Sequence, residues 1–159
     1  MPRRGPARKK KVEKDPLYSD LVVTKLINRS MYDGKKSTAQ KQVYKAFEIV
    51  EKELGGEPLS SFHQAISNIK PSMEVRPRRV GGAAYQVPMP VRGPRQDSLA
   101  IRWLIEAARS RSNSQYHTFG EKLAAEIIDA TKNEGGAVKK RTDMERTAEA
   151  NRAFSHFRW

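Results

Sequence analysis

The chain has 159 residues, 37% of them apolar, and a formal net charge of +13. That length suits one ordinary domain with a core, and no apolar run of about 18 residues occurs, so no membrane span is expected. The absence of cysteine excludes a disulfide framework, thiolate zinc and thiol catalysis together.

Residues 1–16 are basic, broken by Pro2, Gly5 and Pro6, and hold almost nothing to bury. This composition predicts a tail that is disordered alone and folds on a partner supplying negative charge. It lacks the apolar stretch of a secretory signal and the amphipathic pattern of a transit peptide, so a cytoplasmic location is expected. Residues 17–159 read as a single helical domain. Ser19 offers an N-cap, and Val22, Val23, Leu26 and Ile27 follow at helical spacing, which predicts a helix over about 19–31. The loop Tyr32-Asp33-Gly34 ends it. A second helix starts near Lys35, with Ala39, Val43, Ala46, Phe47, Val50 and Leu54 on one stripe, and Gly55-Gly56 terminates it. Pro58 suits the first turn of a third helix, in which Leu59, Phe62, Ile66 and Ile69 recur until Pro71 stops it.

The stretch from Glu74 to Pro88 reads differently. Two short strands fold back at Gly81-Gly82, where two glycines allow positive φ at both corners of a tight turn. Pro77, Pro88 and Pro90 lack the N–H that an interior strand needs, so the pair, over about 73–91, should stand as a ribbon with no sheet around it. A fourth helix begins near Asp97. It is apolar nearly all round, with Leu99, Ile101, Trp103, Leu104, Ile105, Ala107 and Ala108, and is therefore expected to be central. After the polar loop Ser110–Gln115, a fifth helix carries Phe119, Leu123, Ala124, Ile127 and Ile128 and ends at Asn133–Gly136. Residues 137–154 are compatible with a sixth helix, whose thin stripe of Met144 and Ala148 should lean on the bundle edge. The expected architecture is mainly α: a bundle of about six helices with one protruding two-stranded β-ribbon between helices three and four. Leu26, Val43, Phe47, Val50, Phe62, Ile66, Ile69, Leu104 and Ile127 should carry its core, with Trp103 beside them.

The positive charge is clustered. Residues 1–14 carry a net +6 and residues 70–95 a net +5, which leaves +2 for the rest of the chain. Such clustering points to a polyanion. Arg76 and Arg78 alternate onto one face of the ribbon and Arg79 falls on the other, presenting planar forks that match phosphates and guanine edges. Arg92 and Arg95 extend the basic surface into the fourth helix, where Arg102 and Arg109 lie two turns apart on one face. Tyr85 either stacks on a base or packs across to Val75. Lys35 and Lys36, beside a helix start rich in free N–H groups, form a candidate phosphate contact or simply a loop and cap.

Other chemistry finds no residues. His63, His117 and His156 stand far apart, without carboxylates at ligand spacing, so neither a metal site nor histidine catalysis is expected, and no cofactor. Gly34-Lys35-Lys36-Ser37-Thr38 imitates the end of a phosphate-binding loop, but Arg29 stands where the first glycine is required and the preceding segment reads as helix. Two alternatives to an RNA binder remain in view. A DNA-bending arm would carry a proline wedge at its tip, where this chain has Gly81-Gly82. An RNA-modifying enzyme would need a cofactor loop, a nucleophile and a base.

The motifs Asp33-Gly34-Lys35-Lys36-Ser37-Thr38-Ala39, Val75 through Pro88, Ala100-Ile101-Arg102-Trp103-Leu104, and Lys139-Lys140-Arg141 with Met144 occur in order along residues 2–159. In these the chain resembles the bacterial form of the small-subunit ribosomal protein seven family. Gln42 departs from the more usual apolar residue there. The resemblance implies a non-enzymatic six-helix domain with a ribbon, which binds 16S ribosomal RNA in its 3′ major domain and nucleates assembly of the head of the small subunit. It implies rRNA contacts at Arg3, Arg4, Arg8, Lys9, Lys10, Lys11, Lys35, Lys36, Arg76, Arg78, Arg79, Arg92, Arg95 and Arg102, and Arg109, on the same helix face as Arg102, is expected to join them. It places the tip Gly81-Gly82 and the last helix, with Lys139, Lys140 and Arg141, near the exit-site tRNA and the mRNA. The small-subunit proteins nine and eleven become expected neighbours, with no membrane and no homo-oligomer. The resemblance assigns no role to the aromatic end Phe154–Trp159.

Overall fold

The structure, a computed structural model, describes Gly5 and residues 12–157. Six helices, α1 (Leu21–Ser30), α2 (Lys36–Leu54), α3 (Pro58–Ile69), α4 (Gly93–Ser110), α5 (Phe119–Thr131) and α6 (Gly135–Ala150), surround one core. The strands β1 (Met73–Val80) and β2 (Ala83–Pro90) form an antiparallel two-stranded ribbon between α3 and α4, and a 3₁₀ helix over Arg152–Phe157 closes the described chain.

The helical stripes predict the core well. Leu26, Val43, Phe47, Val50, Phe62, Ile69, Leu104 and Ile127 are all fully buried, and Ile66 nearly so. Trp103 joins them. α4 is central, packing on α1, α3, α5 and α6, because apolar side chains circle it. α6 buries only Ala137, Val138 and Ala148, with Met144 partly covered, and so lies at the edge.

Helix ends differ from expectation where side-chain chemistry decides them. α1 is capped by Asp20, whose carboxylate accepts hydrogen bonds from the N–H groups of Val22 (2.5 Å) and Val23 (3.0 Å). Ser19 is instead at φ +51°, in the left-handed region. α4 begins at Gly93, a turn before Asp97, because Pro94 sits in the first turn, where the missing N–H has no partner to lose. α6 stops at Ala150, short of residue 154, and the chain tightens into the 3₁₀ helix. α5 opens with a capping box: the Thr118 hydroxyl accepts from the Glu121 N–H, and the Glu121 carboxylate accepts from the N–H of Thr118. The Lys45 ammonium, the Thr118 hydroxyl and the N–H groups of His117 and Thr118 lower the Glu121 carboxyl to about 2.

Two contacts link distant segments. Gly120 lies so close to α2 that an added Cβ would stand 3.0 Å from the Gln42 carbonyl oxygen. The Gln42 side chain uses that proximity, accepting the Gly120 N–H at 2.9 Å, which gives the polar residue at this otherwise apolar position a structural task. Near the N-terminus, Asp15 is only 4% exposed and accepts hydrogen bonds from the Tyr44 hydroxyl and from the N–H groups of Leu17 and Tyr18. The basic segment is therefore fastened to the domain before residue 16.

Candidate nucleic-acid interface

The ribbon turns at Gly81 (φ +56°) and Gly82 (φ +88°), the two positive φ values a tight hairpin requires. Its register pairs Val80 with Ala83, Arg78 with Tyr85, Arg76 with Val87 and Glu74 with Met89, and these alternate with Arg79–Ala84, Pro77–Gln86, Val75–Pro88 and Met73–Pro90. A two-residue turn makes the flanking Val80–Ala83 pair hydrogen-bonded, and alternation then puts all three prolines at non-bonded positions, where they cost the ladder nothing. The same register sets Arg76 and Arg78 on one face and Arg79 on the other, as period two demands.

The ribbon base is an ion cluster. Glu74, only 4% exposed, receives Arg76 on one oxygen (Nε 2.6 Å, Nη2 2.5 Å) and Arg95 Nε on the other at 3.2 Å. Arg95 therefore fastens β1 to the start of α4 while Arg76 pairs within β1, though each guanidinium remains about half exposed. The side chains of Arg78, Arg79 and Arg92 make no hydrogen bond or ion pair among the described residues, and Arg79 and Arg92 are exposed. Tyr85 does not pack across to Val75, because the register sends the two side chains to opposite faces. Its ring meets Phe154 (5.2 Å between centroids) and Phe157 (5.3 Å) of the 3₁₀ helix. The aromatic end of the chain thus lies against the ribbon.

The other expected contacts divide. Lys35 and Lys36 are exposed at the N-terminus of α2, which has no side-chain cap. Arg109 turns inward: Nη2 donates to the Ser30 carbonyl at 3.0 Å, at the end of α1, and its guanidinium lies 4.1 Å from the centre of the Tyr32 ring. Arg102 is half-buried, and its Nε is buried without a hydrogen-bond partner among the described residues. Lys139, Lys140 and Arg141 do not form one patch. Lys139 is exposed, Lys140 pairs with Glu106 at 2.6 Å, and Arg141 donates to the Asn68 carbonyl while facing Glu145 at 3.9 Å. Gly81 and Gly82 are both exposed at the tip. Arg3, Arg4, Arg8, Lys9, Lys10 and Lys11 lie outside the described residues.

A buried polar cluster behind this surface escapes sequence reading. Glu126, 1% exposed, accepts Arg111 Nε (2.7 Å) on one oxygen and the Ala137 N–H (2.8 Å) on the other, so one carboxylate joins α4's end to α6's first turn. Asp129 also receives Arg111, and Lys122 donates to the Arg111 carbonyl at 2.6 Å. Burial works against the Arg111 charge, but the Asp129 and Glu126 carboxylates outweigh it and raise its pKa further. The cluster's acids Glu126 and Asp129 lie 15 and 18 residues from Arg111 on a different element, so no local pattern points to it.

Six helices with one two-stranded ribbon between the third and fourth are the fold that the motif resemblance implies. The model of the family described as "Ribosomal protein S7p/S5e" matches residues 2–152. The chain belongs to the ribosomal protein S7p/S5e family. It is 58% identical over 159 residues to a protein of Caldicellulosiruptor saccharolyticus named "Small ribosomal subunit protein uS7", with all of both chains covered. Proteins of the same name from Sulfurihydrogenibium sp. (55% over 159 residues, both chains fully covered) and Thermosipho africanus (55% over 157 residues, 99% of each) are similar to it. As a member of this non-enzymatic family it is a structural constituent of the ribosome, at work in translation. No helix among the described residues is long and apolar enough to cross a membrane.

Proposed function

We propose that this S7p/S5e protein is a primary binder of 16S ribosomal RNA that docks on the 3′ major domain and nucleates the head of the small subunit. The observation that carries the reading is the division of charge at the ribbon. Glu74 absorbs Arg76 and Arg95 into the fold, while the side chains of Arg78, Arg79 and Arg92 are left without partners among the described residues. Unneutralised guanidinium groups on a rigid support suit phosphate and base edges. Lys35 and Lys36 extend this surface, half-buried Arg102 adds its charge, and Arg3, Arg4, Arg8, Lys9, Lys10 and Lys11 supply a further cationic arm. Arg76, Arg95 and Arg109 contribute their remaining donors. In this reading the Gly81-Gly82 tip and α6, with Lys139, Lys140 and Arg141, approach the exit-site tRNA and the mRNA. Proteins nine and eleven of the small subunit are the neighbours, and the chain works as a single cytoplasmic copy.

The test is competition between a transcript of the 3′ major domain and duplex DNA of matched length, at several salt concentrations. The RNA should win, with log K falling against log salt at a slope of roughly −4 to −6 if about half of the thirteen tail and ribbon cations meet phosphates. Equal or better binding to duplex DNA would overturn the reading.

A further inference from the structure

Tyr32 is 64% exposed, although it stands directly after α1. Arg109 covers one side of its ring, with the guanidinium carbon 4.1 Å from the ring centre. That guanidinium is itself pinned by the Ser30 carbonyl at 3.0 Å, and the Phe119 ring centre lies 6.0 Å from it. With one face covered and nearly two-thirds of the residue still accessible, the other face of the phenol ring is presented to solvent. A ring held this way loses little freedom when something stacks on it. It borders a cleft of about 260 Å³ lined by Tyr32, Lys35, Thr38, Gln42, Arg109 and Phe119.

The charge beside the cleft identifies the occupant. Lys35 and Lys36 are exposed and have no carboxylate partner among the described residues. The first turn of α2 next to them has no side-chain cap, so the N–H groups of Ser37 and Thr38 point outward unclaimed. An aromatic face next to a cationic, donor-rich helix start matches one nucleotide: base on the ring, phosphate on the lysines and backbone. A base-paired duplex has no free base face to offer, and an apolar protein partner would leave both lysines unmatched.

We propose that Tyr32 is a stacking platform for one unpaired base of the ribosomal RNA, whose phosphate is held by Lys35, Lys36 and the first turn of α2. The proposal rests on the RNA reading above and gives Arg109 a positioning task as well, which is to hold the ring.

The test measures binding of the full chain to purified small-subunit rRNA. Tyr32→Leu and Tyr32→Ser should each weaken binding about tenfold with the salt slope unchanged, because stacking releases no counterions. Tyr32→Phe should bind as the parent does. Lys35→Ala with Lys36→Ala should weaken binding and flatten the slope by roughly 1 to 2. Melting temperatures should stay at the parental value for the Tyr32 variants, whose side chain is largely outside the core. If both non-aromatic variants bind as tightly as the parent while the lysine pair weakens binding, the site holds phosphate alone and the stacking proposal is wrong. If the Tyr32 variants flatten the slope instead, the contact is electrostatic and the proposal again fails. If the parent itself does not bind the rRNA, both this proposal and the broader reading fall.

Discussion

Glu74 and Arg95 lie 21 residues apart and meet at 3.2 Å, carboxylate to Nε, where the ribbon joins the fourth helix. The buried acid also holds Arg76, so the most basic part of the domain is organised around a single negative charge. Glu74→Gln should lower stability by about 1.5–3 kcal/mol, the usual worth of hydrogen bonds to a charged group, toward the lower end because both arginines can rehydrate. The same change frees cationic charge at the interface, so the salt slope of RNA binding should steepen by up to about 0.9. Thermal melts and filter binding on the one variant check both halves.

The two kinds of ribbon arginine should separate experimentally. Arg78→Ala with Arg79→Ala should flatten the salt slope by roughly 1.5 to 2 and leave the melting temperature alone, since neither side chain has a partner among the described residues. Arg76→Ala should lower the melting temperature as well, because it strips a donor from buried Glu74. An unchanged slope in the double variant would remove the ribbon from the RNA interface.

Those outcomes bear on what could be read from residues alone. The stripes of α2 to α5 identify the core because burial follows a 3.6-residue period, and the prolines with Gly81-Gly82 identify the ribbon because φ and N–H constraints are local. The fate of individual charges is not local. In a stretch of six cations, Glu74 counted only as one unit of charge to subtract, yet its partner Arg95 arrives from the next element. Tyr85 takes its neighbours from Phe154 and Phe157, some seventy residues downstream, where no periodicity could point. The Asp20 cap was masked by Ser19 next to it, since both residue types cap helices well.

The N-terminal arm and its anchor should come apart on truncation. Deleting residues 1–12 should weaken RNA affinity and leave the melting temperature nearly unchanged, because the deletion stops short of Asp15. Asp15→Ala should cost about 1–3 kcal/mol, since it removes the acceptor of the Tyr44 hydroxyl and of two N–H groups in a part-buried place. A large thermal loss from the truncation alone would make the arm part of the fold.

Acid should reveal the α5 cap. Glu121 has its carboxyl lowered to about 2 by Lys45, Thr118 and two N–H groups. A depressed folded-state pKa gives stability that is complete above the unfolded value, ordinarily near 4.5, and lost as pH falls toward 2. Glu121→Gln should therefore melt lower than the parent at neutral pH, and the two curves should converge between about pH 4.5 and 2. A constant gap down to pH 2 would assign the stabilisation to another group.

The aromatic end should act on the ribbon. Phe154→Ala with Phe157→Ala removes both ring contacts of Tyr85, each worth about 0.5–1.5 kcal/mol beyond its burial. Amide exchange in β1 and β2 should quicken while that of α4 holds, as expected of a locally stabilised unit.

The placement of the prolines has a consequence for the free protein. An isolated two-stranded ribbon has two open edges, and on each edge the outward N–H groups would ordinarily invite a strand from another molecule. Pro77 occupies one edge and Pro88 and Pro90 the other, all at outward-facing positions by register. A copy waiting for its RNA therefore shows its neighbours a template with missing teeth at exposed Pro77 and Pro90, which opposes the growth of ribbon on ribbon into a polymer.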